Sequence, residues 1–238
     1  MRKTCDMKAR TRDICIIFDC NDTLIHKPDT ARIIRSFLKS EHRATVSLTR
    51  VSDALRTIYE RRKLKHPRFT SESGRREFYI TYNKELCAIL GFNITDTQAL
   101  SLHSQLRKAH WKLFSDVLPI LRYYRKKENV SLGVIANWTA TLELVLREVG
   151  IRTYFDFVYS SHELGKNKPN PSIFKEALHR TEKKCSNVYY VGDDYELDVV
   201  CARAVGIIPI LIDRENRYVT KNDCIKVKSL KRLKDVIK

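Results

Sequence analysis

From residue 132 onward the chain alternates between short apolar runs rich in strand formers and segments with helical spacing. The runs are LGVIA (132–136), FDFVYS (155–160), NVYYVG (187–192) and IIPILI (207–212). Between and after them lie TATLELVLREVG, PSIFKEALHRT and LDVVCARAVG. Strand and helix in alternation predict a parallel sheet with helices on both faces. Gly150 and Gly206 stand where helices should stop.

One further run, ICIIF (14–18), lies far from the others. The stretch between it and the second strand has a different pattern, with apolar stripes at helical spacing. Ile33, Ile34, Phe37 and Leu38 form one stripe, and Val51, Leu55 and Ile58 another. Phe78, Tyr82, Leu86, Ile89 and Leu90 follow, closed by Gly91, and then Leu102, Leu106, Ala109 and Leu113. The expected organisation is an α/β core over 14–26 and 128–238, split by a helical insertion over 27–127. A basic tail occupies residues 1–13.

With 238 residues, 43% of them hydrophobic, the chain can bury a sizeable core. The apolar segment after the basic N-terminus is too short for a signal peptide or a membrane span. Seven cysteines, none in a CxxC pair, fit a reduced cytoplasmic protein. A formal net charge of +17 favours anionic partners, either phosphorylated metabolites or nucleic acid. The charge is dispersed, with its densest clusters in RRKLKHPR (61–68), RYYRKK (122–127) and the tail KVKSLKRLKDVIK. No zinc-finger or RNA-recognition signature accompanies them, so nucleic acid is a partner that charge permits and no motif supports.

In open α/β sheets, ligands sit beyond the carboxyl ends of the strands. The polar residues found there are Asp19, Asn137, Asp193 and Asp194, with Asp198 shortly after and Lys168 in GKNKPNP. Several carboxylates and one lysine at one sheet edge suit Mg²⁺ and a phosphoryl group, because Mg²⁺ takes hard oxygen ligands and the lysine offsets the remaining charge.

These four motifs, FDCNDTL, VIANWT, GKNKPNP and VGDDYELD, resemble in order and strand context those of the haloacid dehalogenase superfamily, in the subgroup with a helical cap after the first motif. The resemblance implies a Rossmann-like parallel sheet with an inserted α-helical cap, and substrate specificity carried by the cap. It implies that Asp19 is a nucleophile forming an aspartyl-phosphate. It implies that Asp193, Asp19 and the backbone carbonyl of Asn21 hold Mg²⁺, and that Lys168 orients Asp19 and the transferring group. Of Asp194 and Asp198, one would support the metal through water and the other would hold Lys168 or the loop. Which does which stays open.

Two positions depart from the family pattern. Where its phosphatases carry a second aspartate as general acid and base, this chain has Asn21. That loss is worth about 10²–10⁴-fold in rate. Where Ser or Thr would donate a hydroxyl to the phosphoryl group, it has Ala136, leaving Asn137 and backbone N–H groups as donors. One missing charge-assisted bond costs about 1.5–3 kcal/mol. Asp22 reads as a former of a left-handed turn, with a displaced acid as the sharper alternative. Cys20 is expected in the core, and His26 and His162 beside the site as structural or surface residues.

The resulting expectation is a Mg²⁺-dependent phosphatase of slow turnover acting on a small phosphorylated metabolite. Three other readings stay open. One is a retired enzyme that binds a phosphorylated ligand or a protein partner. Another is a haloacid dehalogenase, and the last is a nucleic-acid binder.

Overall fold

A computed structural model describes residues 14–63, 72–181 and 185–237. The basic tail 1–13, and residues 64–68 of the basic cluster RRKLKHPR, lie outside the described residues. The described chain divides into two compact units. Residues up to His26 and from Leu113 onward form one, and Lys27–Lys112 the other. Where the sequence suggested a boundary at 127/128, the division falls at 112/113.

The first unit is built on a six-stranded sheet. Its strands are β1 (Ile14–Phe18), β4 (Val130–Ala136), β5 (Phe157–Ser160), β6 (Asn187–Gly192), β7 (Ile208–Ile212) and β8 (Ile225–Val227). Two-residue strands β2 (Ile25–His26) and β3 (Lys112–Leu113) mark where the chain leaves and rejoins this unit. The sheet order is β5-β4-β1-β6-β7-β8, with every pairing parallel. Every residue of β1 and β4 is buried, as central strands covered on both faces must be.

The order reverses at β1, which pairs with β4 on one side and β6 on the other, Phe18 standing level with Val134 and Val191. A crevice opens beyond the carboxyl ends at such a reversal. The residues that follow β1 and β6 therefore face one another across it.

Helix α5 (Val117–Arg125) belongs to this unit and buries Val117, Ile120, Leu121 and Tyr124. It is followed by α6 (Leu142–Glu148), α7 (Ser161–Leu164) and α8 (Ser172–Thr181). After β6 the chain makes a π-helical segment, Tyr195–Val200, continued as α9 (Cys201–Arg203). A 3₁₀ turn, Leu230–Arg232, leads into α10 (Leu233–Val236). Under one sheet face, Ile17, Ile135, Ile173, Phe174, Tyr190 and Ala202 share a core. Helix α7 begins with a reciprocal cap, in which Ser160 and Glu163 satisfy one another's backbone N–H groups.

The second unit holds α1 (Thr30–His42), α2 (Leu48–Arg62), α3 (Glu72–Ile89) and α4 (Asp96–Arg107). The apolar stripes meet in one core containing Phe37, Leu38, Val51, Ile58, Leu86 and Leu102. A Thr95–Gln98 capping box starts α4. The fourth stripe is shorter than its spacing suggested. Helix α4 stops at Arg107, so Ala109 lies outside it and Leu113 ends β3, next to a Phe114 N–H that donates to the Leu24 carbonyl. No helix among the described residues is long and apolar enough to cross a membrane. Cys20, Cys87, Cys201 and Cys224 are free thiols.

Candidate active site

The first strand delivers Asp19 to the crevice, where its backbone N–H donates to the Val191 carbonyl of β6 at 2.8 Å. Beyond it the chain folds tightly back. Leu24 and Ile25 both donate to the Cys20 carbonyl, and Asp22 donates to Ile25 at 2.7 Å with φ at 56°. Asp22 is thus the turn former, in the left-handed region that aspartate tolerates. The Asn21 amide nitrogen donates to the Asp22 carboxylate at 2.7 Å. Cys20 is fully buried, as expected, and burial pushes its thiol well above the ordinary range.

Lys168 comes from the loop before α8 and is itself buried. Its backbone is clamped at two points by Asn137, whose oxygen accepts from the Lys168 N–H and whose nitrogen donates to the Lys168 carbonyl, both at 2.8 Å. An ammonium has three donors and no acceptor. Here they reach Asp19 Oδ1 at 2.6 Å, Asp198 Oδ1 at 2.6 Å and Tyr190 Oη at 2.9 Å. Tyr190 passes its own hydroxyl proton to the Ile135 carbonyl at 2.7 Å. Burial acts to lower the Lys168 pKa, but the charges of Asp19 and Asp198 overcome it and hold the ammonium well above its usual range.

Asp194 and Asp198 make different hydrogen bonds. Asp198 holds Lys168 with one oxygen and the Asp194 N–H with the other, at 2.9 Å. Asp194 caps the following helical segment, accepting from the Glu196 and Leu197 N–H groups at 2.9 and 2.8 Å. Position 192 must be glycine for this packing, because a Cβ there would lie 2.2 Å from Asp198 Oδ2.

Asp193 faces Asp19 across the crevice. Its Oδ2 accepts from Arg217 Nη2 at 2.9 Å, and the same nitrogen reaches the Asp193 carbonyl at 3.2 Å. Arg217 sits in a loop fastened by Asp213, which accepts from the Arg217 and Tyr218 N–H groups at 2.7 and 2.9 Å. Nearby, Arg214 makes a two-point pair with Asp116, donates to the Thr23 carbonyl at 2.9 Å and lies 3.9 Å from the Phe114 ring centroid. Ala136 ends β4, buried and opposite Ser160. His26 stacks on Phe114, and the His162 side chain is exposed.

Oxygens of Asp19, Asp193 and Asp198 lie within 4.8 Å of one another, so these carboxylates could hold a metal ion. The donor set suits Mg²⁺. Both Asp198 oxygens are committed to Lys168 and the Asp194 N–H, whereas Lys168 takes one oxygen of Asp19, and Asp193 meets Arg217 with one oxygen and only a long 3.5 Å bond from the Thr23 hydroxyl with the other. Asp19, Asp193 and the nearby main chain are the groups able to turn toward a cation, matching the one or two carboxylates that Mg²⁺ takes. Charge favours a cation as well. Burial, then the charges of Asp22, Asp198 and Asp19, raise Asp193 well above the usual carboxylate range despite Arg217. Burial also raises Asp19, against Lys168, and lifts Asp198 to about 6.

Asp19, Asn137, Lys168, Asp193, Asp194 and Asp198 therefore converge from separate segments, as strand-end residues of a parallel sheet do. Three residues that sequence reasoning passed over take part as well: Tyr190, Gly192 and Arg217. A tyrosine in the buried part of a strand is a usable signal, since a buried hydroxyl needs a partner. Arg217 carried no comparable signal.

A buried carboxylate gripped by a lysine, with a second carboxylate beside it at the reversal of a parallel α/β sheet, is the arrangement of a hydrolase of the haloacid dehalogenase type. The family profile of the haloacid dehalogenase-like hydrolases matches residues 16–212, and the chain belongs to that family. Among curated relatives, it is 28% identical over 205 residues to haloacid dehalogenase-like hydrolase domain-containing protein 3 of Bos taurus, covering 83% of this chain and 80% of that one. It is also 29% identical over 132 residues to the ribulose-1,5-bisphosphate 5-phosphatase of Halopiger xanaduensis, covering 49% and 55%. The fold matches the HAD-hydrolase YfnB of Bacillus subtilis, solved with magnesium bound, with a TM-score of 0.73 at 14% identity over 94% of this chain and 98% of that one.

Proposed function

We propose that the protein is a Mg²⁺-dependent phosphatase acting on a small phosphorylated molecule through Asp19. The observation that carries this reading is the Lys168 ammonium held 2.6 Å from both Asp19 and Asp198. It keeps a buried carboxylate fixed at the end of β1, in a crevice whose other wall carries Asp193. Phosphatase relatives support the substrate class.

In the first step an Asp19 oxygen attacks phosphorus and the bond to the leaving oxygen breaks, giving an aspartyl-phosphate. In the second, water attacks phosphorus and the bond to Asp19 breaks, releasing phosphate and restoring Asp19, with solvent supplying the proton that the leaving oxygen takes in the first step and accepting the one that the water gives up. Lys168 stays protonated throughout and offsets charge on Asp19 and the transferred group. Mg²⁺, held by Asp19, Asp193 and the Asn21 carbonyl, would supply further charge neutralisation. The Asn21 amide is neither acid nor base near neutral pH, and its N–H is already turned to Asp22. Turnover is therefore slow, and leaving groups that need no proton, such as aryl or acyl phosphates, react best.

Hydrolysis of p-nitrophenyl phosphate with Mg²⁺ tests this directly. Asp19→Asn abolishes turnover. Asn21→Asp raises it for alkyl phosphates by about 10²-fold or more, and less for aryl phosphates. Full activity in Asp19→Asn would sink the assignment. A wild type that binds Mg²⁺ and transfers no phosphoryl group would leave the retired, ligand-binding reading in its place.

A further inference from the structure

Two of the densest basic clusters in the sequence, RYYRKK (122–127) and the C-terminal tail, lie about a hundred residues apart and meet on one face of the sheet unit. The meeting is built at two points. Asp116, at the start of α5, accepts from Ser229 Oγ at 2.7 Å and from the Leu230 N–H at 2.8 Å, so both helical segments begin at one carboxylate. Six residues along α5 from its first residue, the Tyr123 ring lies between two lysines. Lys127 Nζ is 5.0 Å and Lys234 Nζ 4.3 Å from its centroid.

The same two segments carry Arg122, Lys126, Lys228 and Lys231, which like Lys127 and Lys234 are exposed. None of these six has a carboxylate partner among the described residues, whereas Arg125 is paired with Asp156 and Arg232 with Asp235. Bringing so many unneutralised cations together costs self-repulsion, and nothing in the core requires it. Among the described residues, the large exposed hydrophobic ones, Leu144, Val200 and Val219, belong to other segments. The face thus lacks the apolar anchors with which a membrane-surface element enters lipid. A row of cations around an aromatic ring, without such anchors, has the chemistry of a phosphate-backbone reader.

We infer that the face formed by the end of α5 and the C-terminal segment binds single-stranded nucleic acid through its phosphates, apart from the crevice that holds Asp19. Binding is independent of sequence, because nothing here reads base edges. Its affinity falls steeply with salt, with a slope of log K against log salt on the order of −4 for six contacts on a single strand.

Fluorescence anisotropy with a labelled single-stranded RNA, at several salt concentrations, tests the inference on the full chain. The reversal Lys126→Glu, Lys127→Glu, Lys231→Glu and Lys234→Glu should weaken binding by at least about 30-fold and flatten the salt slope. A control carrying the same charge change elsewhere, Arg35→Glu, Lys39→Glu, Arg76→Glu and Lys108→Glu, should lose no more than about threefold. Thermal melts establish that both variants are folded. If either fails to fold, single reversals of the same residues, compared face by face, replace it. Equal losses in the two variants would assign binding to net charge and overturn the inference. So would an absence of RNA binding, or binding confined to vesicles containing phosphatidylserine.

Discussion

At the scale of single residues, the site is decided by which oxygen each cation occupies. Lys168 spends its three donors on Asp19, Asp198 and Tyr190, so replacing any partner strands a buried proton. Tyr190→Phe removes an acceptor from Lys168 and a donor from the Ile135 carbonyl at once. It should cost about 1–3 kcal/mol, read from the urea midpoint, with Asp19 still in place. Arg217 is a different case, because its guanidinium already sits on a carboxylate suited to bind metal. Like charges repel even through water, by on the order of 1 kcal/mol or more at such separations. Arg217→Gln should therefore tighten Mg²⁺ binding by about tenfold in calorimetry. Unchanged or weaker affinity would mean that Arg217 mainly orients Asp193.

At the scale of elements, the crevice depends on a latch outside it. Asp116 joins the start of α5 to Arg214, which reaches Thr23 in the turn after β1, and to Ser229 and Leu230 before α10. Burial alone would raise the Asp116 pKa, but the bonds from Arg214, Ser229 and Leu230 hold it below the usual carboxylate value. A depressed carboxylate stabilises the fold above its unfolded pKa, and that stability is lost as pH falls through the folded value. Acid unfolding below about pH 4 should therefore be steeper in the wild type than in Asp116→Asn. At neutral pH the same variant should be less stable by about 3 kcal/mol, because Arg214 keeps its burial and loses its charge partner. The same latch shows why the insertion boundary misled: α5 has the helical pattern of the preceding helices, yet it buries its apolar face with the sheet unit. Strand β8 went unseen for a related reason. Its three residues, Ile-Lys-Val, are too few for a periodic pattern, and only β7 beside them makes a strand of them.

At the scale of the whole molecule, the sheet unit gathers more negative charge in its crevice than Lys168 and Arg217 balance. Asp19, Asp193 and Asp198 all have raised pKa values in the fold. For such groups the favourable contribution is complete below the unfolded value and is lost as pH rises through the folded one, which for Asp198 is about 6. The metal-free protein should thus lose stability between about pH 4 and pH 7, and millimolar Mg²⁺ should raise its melting temperature more at neutral pH than at pH 5. An equal shift at both pH values would argue that Mg²⁺ binds elsewhere.

By itself the sequence determined the parallel sheet, its helical insertion and the strand-end positions of Asp19 and Asp193, because hydrophobic periodicity and the alternation of strand with helix are local properties, and a parallel sheet places such strand ends at one edge. The tertiary structure alone decided that Asp198 holds Lys168 while Asp194 caps a helix, that Asn137 clamps the lysine backbone, and that Arg217 sits on Asp193. Those outcomes turn on a few tenths of an ångström between residues far apart in the chain. No spacing in a sequence encodes which of two neighbouring oxygens a distant cation will reach.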